Sequence, residues 1–247
     1  MNIWEGKFKN FKHAKSKLKG MGFSGKKWLE EQQNLFKNIN KKFYKNNKKI
    51  PKKYIIRYIG ILKILTQKFK NYKTIKILDV GGGYGIGFFY LNKHIKKKKL
   101  EYTILEIPAL VKILKKKKSK INFISNYSIK AEYDIIICCS VFQYIENWKL
   151  IIKKLVNKRP KFIYFSDMFL GNIKSYVTLQ NYYSHKIPHW ILNFNSFNRE
   201  LIKNNYNLIS KRKMFTKRLN IYTKLPMSNF KVKDRLPFTL KLLYKKH

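Results

Sequence analysis

The stretch ILDVGGGYGIG (77–87) decides the fold. The apolar run IKILDV (75–80) ends on five glycines within seven residues, at 81, 82, 83, 85 and 87, and a helix is expected from Gly85 or Ile86 onward. A strand, a bend without side chains and a helix in that order let a ligand approach the backbone, because Cβ atoms are excluded and positive φ is allowed. Working outward, EYTILE (101–106), INFIS (121–125), YDIIICC (133–139) and KFIYFS (161–166) repeat the apolar run, with helices expected over 85–95, 108–116 and 147–157. Pro108 suits a first helical turn. Short, continuous apolar runs fit strands buried on both faces of a parallel sheet. Strand and helix alternating in this way give an α/β fold, a Rossmann-like doubly wound sheet. A helix near 196–204 and strands near 206–211 and 218–224 are expected to close it with an antiparallel C-terminal hairpin.

Three domains of sequence follow. Residues 1–70 read as a lysine-rich helical extension, interrupted by a loop at Gly20, Gly22 and Gly25, with a helix over 27–38. Within Lys53–Phe69, the residues Ile55, Ile59, Leu62, Leu65 and Phe69 fall at helical spacing, which fits packing on a sheet or, alternatively, a basic face on an anionic membrane. Residues 71–224 form the core, and 225–247 read as a basic tail.

The chemistry of the loop is set by its carboxylates. Asp79 stands two residues before Gly81, where it would repel a pyrophosphate and can hold an ammonium group. That favours a sulfonium nucleoside, S-adenosylmethionine, over a nicotinamide dinucleotide. Gly81, Gly82, Gly83, Tyr84 and Gly85 supply the cradle. Glu106, 23 residues after Gly83 at the end of the second strand, can accept from both hydroxyls of a ribose, with Ile107 beside it. Ser125 and Asn126 follow the third strand, where an adenine would fall, and Ser140 and Val141 follow the fourth, as a floor beneath a donor methyl.

Candidate groups for the acceptor side are Asp167, after the fifth strand, and His185 and His189 in YYSHKIPHWIL. Pro188 argues against a helix there, no glutamate accompanies the two histidines, and no metal-ligand spacing is found. Cys138 and Cys139 are adjacent and read as buried strand residues. No apolar run reaches the length of a membrane span, MNIWEGKFKNFKHAK has no secretory core, and the cytoplasm is the expected compartment.

The formal net charge is +44, which suggests nucleic acid. Yet only six of the 56 basic residues are arginine, the side chain best suited to bidentate phosphate and base contacts. Lys, Asn, Ile, Phe and Tyr make up more than half of the chain and share A/T-rich codons, so compositional drift explains the charge better. The lysine runs 96–99 and 115–118 follow crossover helices and are expected at the amino edge of the sheet, away from the loop. By contrast, seven of the 12 acids lie between Asp79 and Asp167.

ILDVGGGYGIG, YTILE, EYDIIICCSVFQYIENW and PKFIYFSDMF resemble the successive motifs of class I S-adenosylmethionine-dependent methyltransferases. WEGKFKNFKHAKSKLKGMGFSG and YYSHKIPHWILNFNSFNRELIKNNYNLI resemble a bacterial methyltransferase family whose genes often lie among those for surface polysaccharides. The resemblance implies that Asp79, Gly81, Gly83 and Gly85 hold the methionine part and Glu106 the ribose, with Asn126 where many members carry an acid. The resemblance implies a methyltransferase but supplies no acceptor; the aromatic-rich segment Tyr176–Phe197, which would stack on a sugar or cover a lipid, points to a small-molecule or glycan-precursor hydroxyl. The competing readings are a methyltransferase or binder of RNA or other nucleic acid, an NAD-dependent reductase and an inactive methyltransferase-like protein. The reductase reading is weakened because the Tyr-x-x-x-Lys pairs, Tyr44/Lys48 and Tyr72/Lys76, precede the glycine loop.

Overall fold

The computed structural model describes residues 4–18, 25–39, 50–116, 120–127, 130–182, 185–213 and 238–247. In chain order the elements are β1 (Trp4–Phe8), α1 (Phe11–Lys15), α2 (Lys26–Ile39), α3 (Lys52–Ile55), α4 (Ile59–Lys68), β2 (Thr74–Val80), α5 (Ile86–His94), β3 (Lys99–Leu105) and α6 (Pro108–Leu114). They continue with β4 (Ile121–Ile124), β5 (Ile135–Cys139), a 3-10 turn (Phe142–Tyr144), α7 (Trp148–Val156), β6 (Phe162–Gly171), β7 (Tyr176–Tyr182), β8 (His185–Asn193), α8 (Phe194–Ile202), β9 (Tyr206–Lys213) and β10 (Phe238–Lys246). They fall into two compact units. The glycine-loop unit holds Lys26–Cys139 and Lys154–Tyr164; the terminal unit holds Met1–Gly25, Ser140–Lys153 and Phe165–His247.

In the glycine-loop unit the strands are parallel. β2 lies between β3 and β5, and β4 pairs with β3. Ile75, Ile77, Leu78, Ile104 and Ile135–Ile137 are fully buried. Burial of this kind, at roughly 25 cal/mol per Å² of apolar surface, is the main force holding such a sheet. Lys99 opens β3 opposite Thr74, the first residue of β2, so the end of the 96–99 lysine run lies at the amino edge, as expected. Of the 115–118 run, Lys117 and Lys118 lie outside the described residues.

The segment before the sheet departs from the expected single helix. α3 and α4 are separate, and the buried face of α4 is Ile61, Ile64 and Leu65, while Ile59 is 39% exposed. Gly60 accounts for the register: a Cβ there would lie 2.7 Å from the Tyr164 hydroxyl, so this helix edge rests directly on β6.

The terminal unit is mixed. β7 and β8 form an antiparallel hairpin, β1 adds antiparallel to β7, and β8 runs parallel to β6 at Leu170 and Gly171. β10 pairs with β6 and, antiparallel, with β9. Two expectations are corrected here. HKIPHWIL (185–192) is strand rather than loop, with residues 183 and 184 outside the described residues, and Trp4–Phe8 is a strand rather than part of a helical extension. Pro188 lies opposite Leu179 in the β7–β8 ladder, and β8 pairs with β6 only from Leu192 onward.

The closing hairpin exists, but the partner of β9 is Phe238–Lys246, inside the stretch read as a tail; the expected strand 218–224 lies outside the described residues. Tyr244 is fully buried, donates to Asn198 Oδ1 at 3.1 Å and meets Phe165 edge to face. Tyr244→Ala is therefore expected to lower unfolding free energy by about 3 kcal/mol in urea titration, a loss that a solvated tail residue would not give.

Candidate functional site

The loop that follows β2 is tied down by backbone bonds from both sides. Gly81 N–H donates to Leu105 O at 2.8 Å and Gly85 N–H to Gly82 O at 3.1 Å. Gly83 and Gly85 have φ of +56° and +80°, a region that favours glycine. What each missing side chain makes room for differs. A Cβ on Gly87 would collide with the ring of Tyr58 and the hydroxyl of Tyr102, and one on Gly85 with Ile121. A Cβ on Gly82 would lie 2.7 Å from the Asp79 carboxyl. Of these four glycines, Gly83 is the one where a Cβ would meet open space. Three of these glycines thus serve packing within the protein, and Gly83 is the one whose bareness faces outward.

Asp79 lies on β2, fully buried. Its Oδ2 accepts from the hydroxyls of Tyr102 at 2.6 Å and Tyr58 at 3.2 Å, while its Oδ1 has no partner. Burial raises its pKa to about 7, the two phenolic donors oppose that rise, and Glu106 adds to it. Tyr58 was not singled out from sequence, since its segment shows only helical spacing. Tyr102 was hidden within EYTILE. The same burial and the nearby Asp79 hold both phenols well above their usual pKa.

Glu106 stands just past β3. Its Oε1 accepts from Gly83 N–H at 2.9 Å and its Oε2 from Ile107 N–H at 3.0 Å. Burial raises its pKa and these two donors oppose the rise. The backbone of Glu106 is fixed in turn by its N–H to Ile124 O. Two phenols feel its charge: Tyr84 is pushed up to about 12 by burial and by Glu106, and Tyr127 is raised by burial, Cys138 and Glu106. Tyr127 is a further residue that sequence reading missed. Ser125 and Asn126 follow β4 and are exposed. Asp79, Gly81–Gly85, Glu106 and Ile107 are thus joined by contacts within one unit.

In the terminal unit, Ser140 and Asp167 are joined through Gln143. Gln143 Nε2 donates to Ser140 Oγ at 3.1 Å and to Asp167 O at 3.3 Å, and Ser140 N–H donates to Ser166 O at 2.8 Å. Both Ser140 and Asp167 have left-handed φ, +57° and +59°. Such strain persists where surrounding structure over-determines it. Asp167 lies within β6, 2% exposed, rather than after it. Gln143 Oε1 is buried without a donor. Val141 opens the 3-10 turn.

His185 and His189 lie on β8. Four residues along a strand span roughly 13 Å, so they do not form one centre. His189 is fully buried among Trp4, Phe169 and Tyr144, with ring centroids 4.7, 4.6 and 5.2 Å away. Burial pushes its pKa down to about 3, so the ring is neutral at ordinary pH. Among the described residues no group of three or more His, Cys, Asp and Glu side chains gathers as a metal site, and no helix is long and apolar enough to cross a membrane.

Comparison with solved structures concerns the fold. A candidate S-adenosylmethionine-dependent methyltransferase from Listeria monocytogenes matches with a TM-score of 0.54 at 13% identity, over 78% of this chain and 99% of that one. The chain has the Rossmann-like methyltransferase fold. Magnesium protoporphyrin IX methyltransferase from Synechocystis, solved with bound S-adenosylmethionine, matches with a TM-score of 0.51 at 11% identity, over 87% of this chain and 97% of that one. The 1,6-didemethyltoxoflavin-N1-methyltransferase of Burkholderia thailandensis, solved with S-adenosylhomocysteine, gives 0.50 at 10%, over 88% and 89%. No family model and no curated protein matches the chain.

Two predictions follow from the loop and from the buried histidine. Gly87→Ala is expected to destabilise the fold by about 1–3 kcal/mol through overpacking, read by urea unfolding. Gly83→Asn, which tolerates positive φ, should leave stability nearly unchanged. His189 has a folded pKa of about 3 against an ordinary 6.5, so the unfolded state binds more protons in between. Its stabilising contribution is full above pH 6.5 and is lost as pH falls toward 3. Asp79, about 7 against 3.8, acts with the opposite sign: its contribution is present below about pH 4 and lost as pH rises through 7. Unfolding free energies measured from pH 4 to 8 should show a smaller acid loss in His189→Phe and a smaller loss toward neutrality in Asp79→Asn.

Proposed function

We propose that this protein is an S-adenosylmethionine-dependent methyltransferase acting on a hydroxyl of a small-molecule or glycan-precursor acceptor. The observation that carries the reading is Glu106 bonded to the open glycine, Gly83, at the end of β2 and β3 in a methyltransferase fold. S-adenosylmethionine suits this set on three counts. Gly83 leaves room against the backbone, the two oxygens of Glu106 keep further lone pairs for two vicinal ribose hydroxyls, and Asp79 Oδ1 lacks the donor that an ammonium would supply. When bound, this cofactor supplies a methyl group already activated on a sulfonium.

The chain's own task is to orient and to exclude water. Glu106 and Gly83 fix the ribose, and Asp79 the amino group. On the acceptor side, Asp167 is the group that takes up the hydroxyl proton, with Gln143 holding its backbone; His185 is a further candidate. His189 is a poor base at a pKa of about 3, and its place in the reading is to support the wall made with Trp4, Phe169 and Tyr144. The glycan direction rests on the resemblance of the two terminal segments to a family encoded among surface-polysaccharide genes, and in this reading the reaction belongs to the cytoplasm.

A second reading, methylation of nucleic acid, is favoured by the exposed basic run Lys211–Lys213 on β9 and by Lys245 and Lys246 on β10. Transfer of labelled methyl groups to total RNA that persists above about 150 mM salt would support it over a glycan acceptor.

Calorimetry with S-adenosylhomocysteine tests the main reading. Glu106→Ala is expected to weaken binding at least tenfold, about 1.4 kcal/mol; unchanged affinity would overturn the assignment. Asp167→Asn should keep cofactor affinity while lowering the transfer rate by about a hundredfold or more.

A further inference from the structure

The carboxyl of Asp79 is divided between two tasks. One oxygen, Oδ2, is committed to protein: it accepts from Tyr102 of β3 and from Tyr58, which stands between α3 and α4. The other, Oδ1, is buried and has no donor. The carboxyl lies beside Gly82: a Cβ there would stand 2.7 Å from both its Cγ and Oδ2. A carboxylate with one oxygen unsatisfied in an apolar setting takes up a proton more readily than one in water.

The charged and titratable groups that face it leave that balance close. Tyr58 and Tyr102 favour the carboxylate as hydrogen-bond donors, and Glu106 disfavours it as a like charge. Cys138 on β5 also feels its charge, and Arg57 acts on Tyr58.

We propose that Tyr58 and Tyr102 are positioning residues that keep Asp79 ready to exchange one proton, so that an aminoacyl nucleoside binds through its ammonium with release of that proton. This inference rests on the cofactor reading above and deepens it. The exchange balances simply. Asp79 carries the proton on Oδ1 in the free protein. The ligand's ammonium becomes the donor to Oδ1, the carboxyl proton passes to solvent, and the ion pair forms while both phenols remain on Oδ2. Binding and proton release are then one linked equilibrium, and the phenols set the pH at which it turns.

S-adenosylhomocysteine is the probe. Titration calorimetry from pH 5.5 to 8.5, in buffers of different ionisation enthalpy, reads affinity and protons released without any turnover. Association is expected to rise about tenfold per pH unit below neutrality and to level off above about pH 7. Asp79→Asn should bind with no such slope and no proton release. Tyr102→Phe, which removes the shorter of the two donors, should move the turning point to higher pH, and Tyr58→Phe should move it the same way by less. Glu106→Gln separates the two acids: the slope should survive there, at lower affinity.

Tight binding that is independent of pH and releases no proton would overturn the inference and leave the methyltransferase reading standing. So would a slope that vanishes in Glu106→Gln yet persists in Asp79→Asn, or tyrosine variants that lose stability without moving the turning point. Absence of binding at every pH would overturn both.

Discussion

Asp79 sits where water cannot reach it, and the arrangement of the glycine-loop unit follows from how that burial is met. Two phenols occupy one oxygen, which also lies beside Gly82, and the other oxygen is buried without a donor. The same two tyrosines press on the position of Gly87, so the helix that leaves the loop starts close to the sheet. One acid therefore fixes the spacing of β2, β3 and the start of α5 while remaining chemically unfinished. An apolar residue at this position would pack the sheet as well, but it would give a ligand nothing to complete.

Glu106 behaves differently, although it is also buried. Both of its oxygens are occupied by backbone N–H groups of Gly83 and Ile107. A carboxylate has about four acceptor positions, so two hydroxyls can be accepted while both N–H bonds remain. The loop is held in its open shape by the very side chain that a ribose would engage. Pre-organisation of this kind lowers the ordering cost of binding.

The terminal unit shows a second style of construction. His189 is surrounded by three aromatic rings and stays neutral, whereas Ser140 and Asp167 hold left-handed backbone positions braced by Gln143. The first is apolar packing that happens to contain an imidazole. The second is a polar brace at the ends of β5 and within β6, with one amide oxygen left over. In the proposed reading, chemistry on the acceptor side is better sought in the brace than in the packed ring.

The linear sequence by itself determined the strand–glycine–helix core, the parallel order of its strands, and Asp79, Glu106 and the loop as one neighbourhood. These are legible because continuous apolar runs and glycine clusters act locally, through burial on both faces and through backbone freedom. What Tyr58, Tyr102 and Tyr127 do was decided by tertiary structure alone, since each lies far along the chain from its carboxylate and carries no spacing signal. The strand at Trp4–Phe8, the β7–β8 hairpin across Pro188 and the return of Phe238–Lys246 to β9 were likewise settled only in three dimensions. Edge and antiparallel pairings are made between distant segments. Their stability comes from the partner strand rather than from any pattern in their own residues.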